Sequence, residues 1–162
     1  MSQAFVKEDA GDPDELPERA QSAAPNYVTP AGLEDLRAKA ADYKARAAAV
    51  PRDSKEGRRL LREMRYFQGR VASAILVDAA GRSGGEVRFG ARVEVRTPSG
   101  EIRAFSIVGQ DEAEEALGKL AWDSSLALSL MGAKAGDAVE WAPPEGPGRL
   151  VVAAVSYPPR SP

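Results

Sequence analysis

The stretch that decides the fold runs from Thr29 to Ala74, TPAGLEDLRAKAADYKARAAAVPRDSKEGRRLLREMRYFQGRVASA. In its first half Leu33, Leu36, Ala40, Tyr43, Ala47 and Val50 recur at alternating steps of three and four. That spacing is the seam of a helix that packs on another helix. Thr29 before Pro30 reads as an N-cap followed by proline at the first helical position, where a missing N–H is harmless. Pro51 stops the helix, because proline has no N–H for the ladder and restricts the residue before it. A second stripe, Leu60, Met64, Phe67, Val71 and Ala74, keeps the same rhythm, with Asp53 or Ser54 as its N-cap. Gly57 weakens its first turn by about 1 kcal/mol relative to alanine. The short break at Val50–Ser54 makes an antiparallel hairpin in which each stripe covers the other. A first helix of about 19 residues is about 28 Å long.

After the second stripe, Ala79 to Gly85 is rich in Gly, Ser and Ala and reads as a linker. Beyond it the period falls towards two. Arg92–Arg96 alternates, Thr97-Pro98-Ser99-Gly100 turns, and Ile102–Val108 returns, a hairpin pattern. Leu120–Trp122 suits a short strand and Ser125–Met131 one or two helical turns. Ala138–Trp141 and Leu150–Tyr157, on either side of Pro143-Pro144-Glu145-Gly146-Pro147-Gly148, suit a second hairpin. The expected fold is α+β: an antiparallel helical hairpin over 29–78, a linker over 79–86, a small β-rich domain over 87–158 and a tail over 159–162. Residues 1–28, with several prolines and few large apolar side chains, read as a flexible acidic arm in which Phe5 and Val6 are the local docking candidates.

The composition narrows the chemistry. The 162 residues include no Cys and no His, which excludes disulfides, thiolate metal sites, thiol nucleophiles and imidazole catalysis. Carboxylates, Lys, Arg, hydroxyls or an oxygen-ligated metal are what remain. No stretch approaches the ~18–20 apolar residues of a membrane span, and the N-terminus lacks the apolar core of a secretory signal, so a cytoplasmic location with no membrane partner is expected. The net charge of −2 is uneven: −4 over 1–30, +4 over 31–78 and −2 over 79–162. A basic middle between acidic flanks suits an anionic partner, or simply a solvated helical face.

These parts, in this order, resemble the GreA/GreB transcript-cleavage factor family. The residues that carry the resemblance are Phe89-Gly90-Ala91, Ile107-Val108-Gly109, Asp111-Glu112-Ala113, Asp123-Ser124 and Gly136-Asp137, five fragments in register. It extends over about residues 27–157. It implies an antiparallel coiled coil followed by an FKBP-like domain. It also implies a partner, bacterial RNA polymerase: the C-terminal domain docks at the mouth of the secondary channel and the coiled coil projects towards the active site. In full Gre factors, acidic tip residues help hold the polymerase's catalytic magnesium ion and a water for hydrolysis of backtracked RNA. Such a factor has no cofactor or catalytic residue of its own, and is at most an accessory to the polymerase active site.

The sequence departs from the family pattern at two places. The hairpin is shorter, and its tip offers only Asp53 and Glu56 as carboxylates. They suit either Mg²⁺ beside polymerase ligands or a capping box on the second helix. The docking segment reads Asp123-Ser124-Ser125, where the family has Asp-Ser-Pro, and Asp123 and Ser124 suit helix capping as well as docking. Lys55, Arg58, Arg62 and Arg65, with Arg59 beside them, correspond to the family's RNA-facing basic patch; Arg58, Arg62 and Arg65 share one helix face. A solvent-exposed, charge-balanced face is the other reading of them.

Two other functions bear on the same residues. Short-hairpin relatives include the regulators of nucleoside diphosphate kinase, which would make the chain a polymerase-independent interaction protein. A prolyl isomerase needs a deep aromatic-lined pocket, and the aromatic candidates here (Phe89, Phe105, Trp122, Trp141 and Tyr157) are in demand for the core.

Overall fold

The computed structural model describes residues 16–160. The N-terminal part of the expected arm, including Phe5 and Val6, lies outside the described residues. Helix α1 spans Pro30–Ala48 and α2 spans Lys55–Ser73, and the two pack antiparallel along the predicted stripes. Leu36, Leu60 and Phe67 are buried, and Tyr43 stacks on Phe67 with ring centroids 5.6 Å apart. The α1 cap is as expected: Thr29 Oγ1 accepts from Gly32 N at 3.0 Å. At α2, Ser54 rather than Asp53 is the cap, its Oγ accepting from Gly57 N at 3.0 Å. Gly57 has a reason to be there. A Cβ at that position would lie 2.2 Å from the Pro51 carbonyl oxygen, so the turn closes this tightly only on a glycine.

Residues 16–28 require a correction. They were expected to form a flexible arm, yet the described part runs along α2 as a strap. Its end is strand β1, Tyr27–Val28, which pairs in parallel with β2, Ile75–Leu76, immediately after α2. Tyr27 sets its ring edge-on to Trp122, centroids 5.1 Å apart. Two residues are too few for a hydrophobic period to appear in sequence, so neither strand was visible there.

The C-terminal domain is built on β3 (Arg92–Arg96), β4 (Ile102–Val108), β5 (Lys119–Ala121), β6 (Ala138–Trp141) and β7 (Gly148–Ser156). The sheet order is β5-β4-β3-β7-β6. β5 runs parallel to β4 and the other pairs are antiparallel. β3 alternates as predicted, with Val93 and Val95 inside and charged neighbours outside. The short helix α3, Ser125–Leu130, drops Leu126, Ala127 and Leu130 onto the sheet, where they meet Ile107, Leu120, Leu150 and Val152 in one core. The chain is therefore an α+β protein with a helical hairpin followed by a β domain.

Candidate functional site

The two parts meet at the loop that leaves β4. Gln110, Asp111 and Glu112 follow Gly109 there, and Gly109 is needed: a Cβ on it would lie 2.5 Å from the Tyr27 carbonyl oxygen. Asp111 takes the end of α2. One carboxylate oxygen accepts from Arg70 Nε at 2.6 Å and the other from the Tyr66 hydroxyl at 2.5 Å. Glu112 takes the start of α1 by accepting from the Thr29 hydroxyl. The two adjacent carboxylates thus hold one helix each.

Arg70 is only 2% exposed. A buried guanidinium persists only when its charge is matched and its donors are used. Besides Asp111, its Nη2 donates to Asn26 Oδ1 at 2.6 Å and to Gln110 Oε1 at 3.2 Å. Asn26 returns a bond from Nδ2 to the Arg70 carbonyl at 2.8 Å. Gln110 then passes the network on, its Nε2 donating to Asp123 Oδ2 at 2.6 Å and to Ser22 Oγ at 3.1 Å. One hydrogen-bonded chain therefore joins the strap, the hairpin and Asp123. Sequence reading recognised Asp111-Glu112 as a pattern but assigned it no role, and it missed Arg70. The available signal was an arginine one position before Val71 of the apolar stripe.

Burial raises the pKa of the Tyr66 phenol, and its hydrogen bond to Asp111 raises it further. The folded state thus holds this proton more tightly than the unfolded chain, whose tyrosines titrate near about 10. The contribution is complete below that pH and is lost as pH rises through the folded pKa. Tyr66→Phe should cost about 1 kcal/mol at neutral pH. It should also flatten the fall of the urea midpoint above about pH 10. Equal alkaline slopes for the two proteins would show that Tyr66 does not supply this pH dependence.

The predicted docking residues sit together. Ser124 Oγ accepts from Ala127 N at 3.3 Å and caps α3. Asp123 bonds Gln110 instead of an α3 amide, so the capping reading holds for Ser124 alone. Ser124 and Ser125 border an open cleft of about 980 Å³ lined by Phe105, Leu117, Leu120, Leu126 and Trp141. Leu117 and Leu128 are exposed nearby in the chain, at 65% and 56%.

The predicted tip residues Asp53 and Glu56 are both exposed at the far end of the hairpin. Ser54 displaces Asp53 from the capping box. Among the described residues no group of three or more Asp or Glu side chains is placed to hold a metal ion.

The basic residues of α2 divide into two groups. Lys55 is exposed and Arg58 half-buried, but Arg62 and Arg65 meet the strap of their own chain. Arg62 Nε donates to the Pro17 carbonyl at 2.6 Å. Arg65 Nε donates to both Glu18 oxygens at 3.0 and 3.1 Å. That pairing lowers the Glu18 pKa, with the hydrogen bond from Arg65 as the largest cause.

A family model described as transcription elongation factor, GreA/GreB, C-term, matches residues 82–157. The transcription elongation factor GreB of Neisseria meningitidis serogroup B (strain ATCC BAA-335 / MC58) is 33% identical over 153 aligned positions, covering 82% of this chain and 94% of that one. The chain belongs to the GreA/GreB family. Over a shorter range, the transcription elongation factor GreA of Verminephrobacter eiseniae (strain EF01-2) is 37% identical across 93 positions, 56% of this chain and 59% of that protein. Among solved structures, the GreA factor homolog 1 protein of Thermus thermophilus covers 82% of this chain and 99% of its own, at 21% identity and a TM-score of 0.41. The GreB alignment also contains a length difference. The 82% of this GreA/GreB-family chain that it takes in is about 133 residues, some 20 fewer than its 153 positions.

Proposed function

We propose that this GreA/GreB-family chain is a transcription elongation regulator that binds bacterial RNA polymerase at the mouth of the secondary channel. The C-terminal domain docks through Asp123, Ser124 and Ser125, and the short hairpin enters the channel without supplying cleavage chemistry. RNA polymerase is the partner, and RNA is met within its channel. The protein works in the cytoplasm, where the polymerase is, and is not an enzyme. Any Mg²⁺ near its tip is the polymerase's own.

The observation that carries this reading is the hairpin itself. Each helix has 19 residues, or about 28 Å. The family resemblance implies a longer first helix before the tip, and each helical turn fewer withdraws the tip by about 5.4 Å. Catalytic carboxylates need placement within hydrogen-bonding reach of the reacting atoms or their metal, so Asp53 and Glu56 fall short. At the other end, the cleft bordered by Ser124 and Ser125 combines apolar side chains (Phe105, Leu120, Leu126 and Trp141) with charged ones (Glu101, Arg103, Glu115 and Glu145), the mix of an interface centre and its polar rim. The immobilised full chain at moderate salt should retain core RNA polymerase from solution. Recovery of some other partner with no polymerase would end this reading in favour of a polymerase-independent role.

A further inference from the structure

The strap has two parts of different character. At its base, Asn26 is buried and locked to Arg70. Further out, Glu18 and Arg65 have side chains 61% and 48% exposed. Arg19 turns back, pairing with Glu63 at 2.6 Å while its guanidinium lies 3.7 Å from the Tyr66 ring centroid. The outer part is thus tethered at a fixed point, and its Glu18–Arg65 pair is a solvent-facing contact of the kind worth little singly, whereas Arg19 and Glu63 are partly covered. A tether keeps such a segment at a high local concentration, about millimolar for a short linker.

What the outer part offers is the chemistry of a nucleic-acid backbone. A carboxylate takes Arg65 in fork geometry, as a phosphate does, and a carbonyl oxygen takes the neighbouring Arg62. We propose that Pro17 and Glu18 are an internal substitute for RNA phosphates on α2, so that docking of the strap and binding of RNA to Arg62 and Arg65 exclude one another. The inference rests on the reading above only in taking RNA as the anion this face meets. Docking on the polymerase uses the C-terminal domain, whose Asp123 is linked through Gln110 to Ser22 of the strap, inward of Pro17 and Glu18.

The test needs no polymerase, so its failure is separable from a failure of polymerase binding. Binding of a fluorescein-labelled single-stranded RNA would be measured by anisotropy across a salt series. Four full-length chains are compared: the natural one, Glu18→Gln, Arg65→Ala and the double variant. Both residues are surface-exposed, so each variant folds. Glu18→Gln should tighten binding about threefold, in keeping with the loss of one exposed pair. The slope of log affinity against log salt should steepen by about 0.7, the increment for one more phosphate contact on a single strand. Arg65→Ala should cost less than about twofold in the natural chain and about threefold or more in the Glu18→Gln background, the coupling that masking requires. An equal cost in both backgrounds would show only a diffuse charge effect and overturn the proposal. So would an unchanged slope, or no RNA binding by any of the four.

Discussion

Arg70→Ala should destabilise the folded chain by about 3–5 kcal/mol, the cost of removing one partner of a buried ion pair. The substitution leaves Asp111, which is 13% exposed at its side chain, with the Tyr66 hydroxyl but without its cationic partner, and it removes the donors that Asn26 and Gln110 use. Arg70→Lys should recover only part of the loss. An ammonium keeps the charge but lacks the planar fork that reaches Asp111, Asn26 and Gln110 together. Urea unfolding of the three proteins checks this. A loss below about 1 kcal/mol for Arg70→Ala would place the hold between hairpin and domain elsewhere, since that is the worth of a surface pair.

Asp123→Ala should weaken binding to core RNA polymerase at least about tenfold, or about 1.4 kcal/mol. Truncating a charge that becomes buried in an interface commonly costs this much or more. The cap of α3 does not depend on Asp123, since Ser124 supplies it, but Asp123→Ala also removes the acceptor of Gln110 Nε2 and should cost about 1 kcal/mol of stability. Polymerase binding is therefore compared at a temperature where both chains are folded. Ser124→Ala should likewise cost about 1 kcal/mol of stability through the lost cap and weaken binding as well. Unchanged polymerase binding by Asp123→Ala would remove Asp123 from the docking surface.

The hairpin was legible because its signals are local and repeated. Leu36, Leu60 and Phe67 recur at helical spacing, and Thr29-Pro30 and Pro51 mark its limits. β3, with Val93 and Val95 facing in, was legible for the same reason at period two. The site was legible only in part. Asp123 and Ser124 could be singled out by resemblance, but their separate jobs depend on where Gln110 and Ala127 lie in space. Arg70 joins Asn26, Gln110 and Asp111, partners about 40 positions away on either side, and no local period records such a bond. The strap misled for a related reason. Its prolines and charges describe a chain with no core of its own, yet those charges are complementary to Arg62 and Arg65, and Asn26 is anchored by α2. Composition describes a segment in isolation and is silent about a surface that another part of the same chain provides.

On the proposed function, this GreA/GreB-family chain occupies the polymerase channel without driving hydrolysis there. A backtracked elongation complex tests it most directly, with RNA cleavage followed in time in the presence of the purified chain. The predicted result is cleavage no faster than with polymerase alone, together with slower cleavage when the chain competes with a cleavage-stimulating GreB. Rapid cleavage on adding the chain, abolished in the Asp53→Ala/Glu56→Ala double variant, would contradict it.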